Sequence, residues 1–163
     1  MRLFVSLRLP SPARAHLAAA LAGARLTDVG QWHVTLAFLG EVPAAEPLAP
    51  ELAGAVAQHP PLALRVRGGG AFGRVWWGGL DGDVAGLRSL AADVADACRA
   101  AGVALEDRPY RPHVTVARRG SGPHPLEGYE GPAWTASEVE LVRSRLGATA
   151  RHEVLARFPL TPR

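Results

Sequence analysis

At 163 residues, 48% apolar and 20% charged, the chain is long enough to bury a core and too apolar for intrinsic disorder. No apolar run approaches the roughly 18 residues of a membrane span, and the opening MRLFVSLRLP is stopped by Pro10 too early for an export signal. All 18 basic residues are arginine, so the pI near 10 overstates a net charge of only +3, and one cysteine excludes an intrachain disulfide, which fits a cytoplasmic protein.

Residues 3–9 alternate with period two and predict a strand. Ser11-Pro12 then reads as an N-cap and N1 pair opening an alanine-rich helix to about Ala24. A strand is expected over 32–39, a turn from Gly40 through Pro43 to Pro50, and a second helix to about Gln58. Residues 62–67 alternate cleanly, Gly68-Gly69-Gly70 reads as a turn, and 75–80 is strand-like again. Asp83 is placed to cap a helix carrying Leu87, Leu90, Val94 and Cys98 on one face and ending at Gly102. A strand beginning at His113, a Gly- and Pro-rich loop over 119–132, and strands over 138–146 and 152–160 complete the chain. Strands and helices are mixed without strict alternation, which favours an α+β fold with antiparallel sheets over a doubly wound one.

One short pattern occurs twice, eighty residues apart: HVTLAFLG from His33 and HVTVARRG from His113. In a strand, residues two apart share a face. His33 therefore shares a face with Thr35 and His113 with Thr115, while Val34, Leu36 and Phe38, and Val114 and Val116, point into a core. The duplication at half the chain length implies two similar lobes, residues 1–163 forming a single bilobal domain with one His-Thr pair on each side of a cleft.

Such a cleft suits a phosphodiester. In-line displacement at phosphorus needs the attacking and leaving oxygens on opposite sides. One neutral imidazole can take a proton from water and one protonated imidazole can give a proton to the departing alkoxide. Threonine hydroxyls and a nearby arginine can hold the non-bridging oxygens. Arg108, Arg111, Arg118 and Arg119 all flank the second HVT. Arg111 lies on the histidine face by parity; Arg118 reaches it only if the strand ends or bulges. Two histidines and two threonines are a poor zinc set, so no metal and no cofactor are expected.

The pair HVTLAFLG and HVTVAR resembles the H-x-[ST]-x motif pair of the 2H phosphoesterase superfamily. With MRLFVSLRLP, RPYRPHVTVAR, the SRLG at 144–147 and LARFPL, the likeness extends along the whole chain to the bacterial branch called RNA 2′,3′-cyclic phosphodiesterase or 2′-5′ RNA ligase. The resemblance implies a bilobal α+β fold and metal-independent opening of 2′,3′-cyclic phosphates, on RNA ends or nucleotides, to 2′-phosphomonoesters. It implies His33 as proton donor, His113 as the base that activates water, and Thr35, Thr115 and Arg118 as phosphate-holding residues, with Arg111 as a competitor for the last role. A cytoplasmic monomer with no membrane contact is expected. The alternatives are a 2′-5′ RNA phosphodiesterase or ligase, and a nucleotide- or RNA-binding module without turnover. His152 stands where the family often has tyrosine, Tyr110 where phenylalanine is common.

Other features read as structure. Gly68 to Gly73 satisfies G-x-G-x-x-G, but a strand rather than a helix follows it. Cys98 reads as core, one of Trp76 and Trp77 as core, and His16, His59 and His124 as surface residues.

Overall fold

The computed structural model describes residues 1–22, 24–146 and 151–163; Gly23 of the expected first helix and Gly147 of SRLG lie outside the described residues. The strands are β1 (Arg2–Arg8), β2 (His33–Glu41), β3 (Leu62–Phe72), β4 (Val75–Gly82), β5 (His113–Ala117), β6 (Trp134–Ala136), β7 (Glu138–Arg145) and β8 (Arg151–Pro159). The helices are α1 (Ser11–Ala20), α2 (Leu48–Val56) and α3 (Val84–Ala100). Two four-stranded antiparallel sheets result, in the orders β2-β1-β7-β8 and β5-β4-β3-β6. The fold is α+β, as expected. Each HVT strand is the edge strand of its own sheet, and the two edges adjoin.

The sheets are joined by a continuous apolar cluster that includes Leu3, Val5 and Val34 of the first and Leu64, Val66 and Val114 of the second. α3 bridges them, packing on β2 and β3. Its expected face is buried, with Leu87, Leu90, Val94 and Cys98 all at 0% exposure. The Asp83 carboxylate accepts from the Gly86 amide at 2.9 Å and caps the N-terminus. At the other end Gly102, with φ +94°, turns the chain away. Burial pushes the Cys98 thiol up to about 11, consistent with a core residue.

Several expectations need correction. α1 begins at Ser11, so Ser11 is not its cap; Arg14 anchors that turn instead, donating to the Leu9 carbonyl at 2.7 Å and to the Ser11 hydroxyl. Gly68-Gly69-Gly70 is not a turn. β3 runs through it, irregular between Val66 and Gly69, and the turn comes at Gly73. The glycines serve close approach: a Cβ on Gly69 would overlap the Trp77 carbonyl and one on Gly70 the Trp77 ring. The three-residue β6 pairs with Leu62–Leu64 and had no sequence signal. The loop at 119–132 is tied back to β3, through Gly68 N–H to the Tyr129 carbonyl and Gly131 N–H to that of Val66, and buries Leu126. His59 is no surface residue. It is 9% exposed, and its Nε2 meets the Asp93 carboxylate at 2.6 Å. His124 is half-buried against Trp76, and His16 bonds the Tyr129 hydroxyl.

Candidate active site

The two HVT copies fold alike, down to a shared irregularity. In β2, Thr35 pairs with Ser6 and Ala37 with Val5, so Leu36 is an extra, bulged residue. In β5, Thr115 pairs with Trp77 and Ala117 with Trp76, so Val116 is bulged in the same place. A bulge reverses the parity of the residues beyond it. Ala37 and Ala117 therefore face the core beside Leu36 and Val116, and the next residues turn to the histidine face. This corrects the expectation for Phe38, which is 54% exposed on the face of His33 with the Arg2 guanidinium 5.4 Å from its ring centre. It also puts Arg118 on the face of His113 and Thr115. The bulge in β5 has a visible anchor: the Val116 carbonyl accepts from the Thr27 amide at 2.9 Å and the Thr27 hydroxyl at 3.2 Å.

Both imidazoles are held by the same local bond. His33 Nδ1–H donates to the Gln31 carbonyl at 2.8 Å, and His113 Nδ1–H to the Arg111 carbonyl at 2.7 Å. Each bond fixes the ring so that Nε2 is the nitrogen available for chemistry. The Nε2 of His33 accepts from the Thr35 hydroxyl at 3.1 Å. Arg111 thus orients His113 through its backbone, while its side chain is exposed.

The surroundings of the two histidines differ. Phe4 stacks on His33 with ring centres 4.7 Å apart, and His152 meets both rings edge-on at 5.0 and 5.4 Å. Burial beneath these rings, partly offset by the bond to the Gln31 carbonyl and aided by the charges of His152, His113 and Arg118, brings the His33 pKa down to about 4. Burial and the charges of Arg8 and Arg118 lower the His152 pKa as well. His113 instead faces an aromatic wall, with Phe72 5.6 Å away edge-on and stacked in turn on Trp77. Beside His33 lies a polar cavity of about 460 Å³ lined by Ser6, Arg8, Asp28, Glu140 and His152. Buried Glu140 is held there by the guanidiniums of Arg8 and Arg157, each at 3.1 Å.

Tyr110 clasps the two edges together. Its hydroxyl donates to the Thr35 carbonyl at 2.7 Å, burial raises its pKa, and its own carbonyl accepts from Arg88. A Tyr110→Phe variant leaves the Thr35 carbonyl without that partner between the sheets. It is expected to lose about 1–3 kcal/mol in urea unfolding; an unchanged midpoint would show that the clasp is dispensable.

The match to protein families settles where this geometry belongs: residues 5–148 match the model of the 2′-5′ RNA ligase superfamily. The chain is a member of that superfamily. A relative from Geobacillus stearothermophilus called RNA 2′,3′-cyclic phosphodiesterase is 34% identical over 143 residues, 79% of this chain. The chain spans only 45% of that relative's length. Among solved structures, TT0787 of Thermus thermophilus is similar over 99% of both chains, at TM-score 0.81 and 29% identity. Escherichia coli LigT complexed with 3′-AMP is similar over 98% of both, at TM-score 0.80 and 26% identity.

Of the residues expected at the site, the structure groups His33, Thr35, His113, Thr115 and Arg118 on adjoining strand faces. Phe4 and Phe72 were missed, because aromatic residues in strands read equally well as core; Tyr110 carried a signal, its departure from phenylalanine, but none for its bond to the Thr35 carbonyl. His152 carried a signal, its departure from tyrosine, but none for its contact with His33.

Proposed function

We propose that the protein opens RNA or nucleotide 2′,3′-cyclic phosphates to 2′-phosphomonoesters, with His113 as general base and His33 as general acid. The observation that carries this reading is the paired imidazole geometry, each ring pinned at Nδ1 with Nε2 available and a threonine two residues on. The names of the superfamily relatives support it, as does the 3′-AMP complex of LigT.

In this mechanism His113 Nε2 takes a proton from water as its oxygen attacks phosphorus. The bond from phosphorus to the ribose O3′ breaks, and His33 Nε2 protonates that leaving oxygen. The Thr35 and Thr115 hydroxyls and the Arg118 guanidinium bind the non-bridging oxygens, where charge accumulates. Arg111 serves through its carbonyl. With a pKa lowered to about 4, His33 is neutral in the free protein at pH 7. The arriving phosphate anion supplies the negative charge that draws a proton onto it, and the Thr35 hydroxyl turns from Nε2 to the phosphate.

A 2′,3′-cyclic-ended RNA followed by phosphorus NMR tests the reading. A 2′-phosphate is expected; a 3′-phosphate would reverse the leaving group, and no turnover would leave a binding module. The reaction is proposed to be metal-independent, in a monomeric cytoplasmic protein. Among the described residues no three His, Cys, Asp or Glu side chains converge on a metal-sized point, and no helix is long and apolar enough to cross a membrane. Turnover is accordingly expected to survive exhaustive EDTA treatment. Loss with EDTA and recovery with zinc would overturn that mechanism.

A further inference from the structure

A second cavity, of about 620 Å³, lies beyond the end of β5 and outside the cleft. That volume is in the range of ligand pockets. Its charged lining is three arginines, Arg25, Arg74 and Arg119, with no carboxylate. None of the three guanidiniums has an ion-pair partner among the described residues, whereas Arg8, Arg65, Arg67, Arg99, Arg108, Arg145 and Arg157 all do.

The arginines are brought together by the backbone. The Gly120 amide donates to the Arg74 carbonyl at 2.8 Å, fixing the residue after Arg119 beside the β3–β4 turn. Gly120 lies flat on the Trp76 indole, where a Cβ would overlap the ring, and Trp76 is itself buried. Arg25 enters from the segment after α1. All three are exposed, and an anion lying between three like charges around one concavity would offset their repulsion. Consecutive residues also lead from one site to the other: Arg118 belongs to the catalytic face, Arg119 to the second cavity.

We propose that this cavity binds backbone phosphates of an RNA chain whose cyclic end occupies the cleft, making a polynucleotide rather than a mononucleotide the preferred substrate. The inference rests on the proposed function for the identity of that end. Guanidinium forks suit phosphate oxygens, and their contribution falls with salt because each contact releases counterions from the RNA.

The triple variant R25Q/R74Q/R119Q, checked for folding by circular dichroism, tests it on two substrates. For a cyclic-ended oligonucleotide, kcat/KM is expected to fall about tenfold or more, mainly through KM, while a 2′,3′-cyclic mononucleotide is turned over as before. The slope of log affinity against log salt should flatten by about 2 for three lost contacts to single-stranded RNA. An equal loss on both substrates, or no loss on either, overturns the proposal. Fluorescence anisotropy with a labelled linear oligonucleotide keeps this separate from catalysis. Should the wild type open no cyclic phosphate, the proposed function fails, and the cavity is still judged by whether the variant binds the oligonucleotide more weakly. Equal binding refutes it.

Discussion

Replacing His33 or His113 with alanine is expected to lower kcat by about 10²–10⁴-fold in each case, the range that one positioned proton-transfer group supplies. The two losses should differ in kind. A substrate with a phenolate leaving group needs no proton on departure, so it should restore much of the rate to His33→Ala and little to His113→Ala. The pH profiles of the residual activities separate the roles again. With only the base left, the remaining rate should rise with pH to a plateau; with only the acid left, it should fall as pH rises. The opposite pair of profiles would exchange acid and base. Full activity in either variant would remove that histidine from the chemistry. The double variant should be far less impaired than the product of the two single losses, because groups that act in one step are not additive.

The order of the long elements was legible because their signals are local and periodic. Strand alternation located β1 and the start of β3, and Asp83 and Gly102 marked the ends of α3. Parity also placed each His-Thr pair on one face. What failed has a common cause: the deciding contact comes from a distant part of the chain. The bulges at Leu36 and Val116 leave no local mark, yet they decide that Phe38 is exposed and that Arg118 joins His113. The Val116 bulge depends on Thr27, almost ninety residues earlier. Gly68 to Gly70 carries every local sign of a turn, but the Trp77 ring and carbonyl claim the space that side chains there would fill. The segment from Leu26 to Trp32 carries Thr27 to the second motif strand and packs Trp32 at 2% exposure. The depressed pKa of His33 was equally hidden, since it arises from Phe4 and His152 on two other strands.

That depressed pKa carries the second large expectation, a loss of stability in mild acid. The unfolded His33 titrates near 6.5 and the folded one near 4, so between these values the unfolded chain binds the extra proton. Stability therefore rises with pH across the window and falls as pH drops through it. Fully developed, the effect is about 3 kcal/mol, taking 1.36 kcal/mol for each pH unit of displacement. His152, displaced in the same direction, adds to it. Urea unfolding at pH 7.5 and at pH 4 should show this loss in the wild type and a smaller one in His33→Phe, which retains an aromatic ring against Phe4 without a proton to bind. An equal loss in both proteins would locate the acid sensitivity elsewhere. A phosphate anion bound in the cleft should reduce the loss, because its charge raises the His33 pKa toward the unfolded value. In the proposed mechanism, the burial that destabilises the protonated imidazole would keep His33 neutral until a phosphate arrives, making proton uptake part of substrate binding.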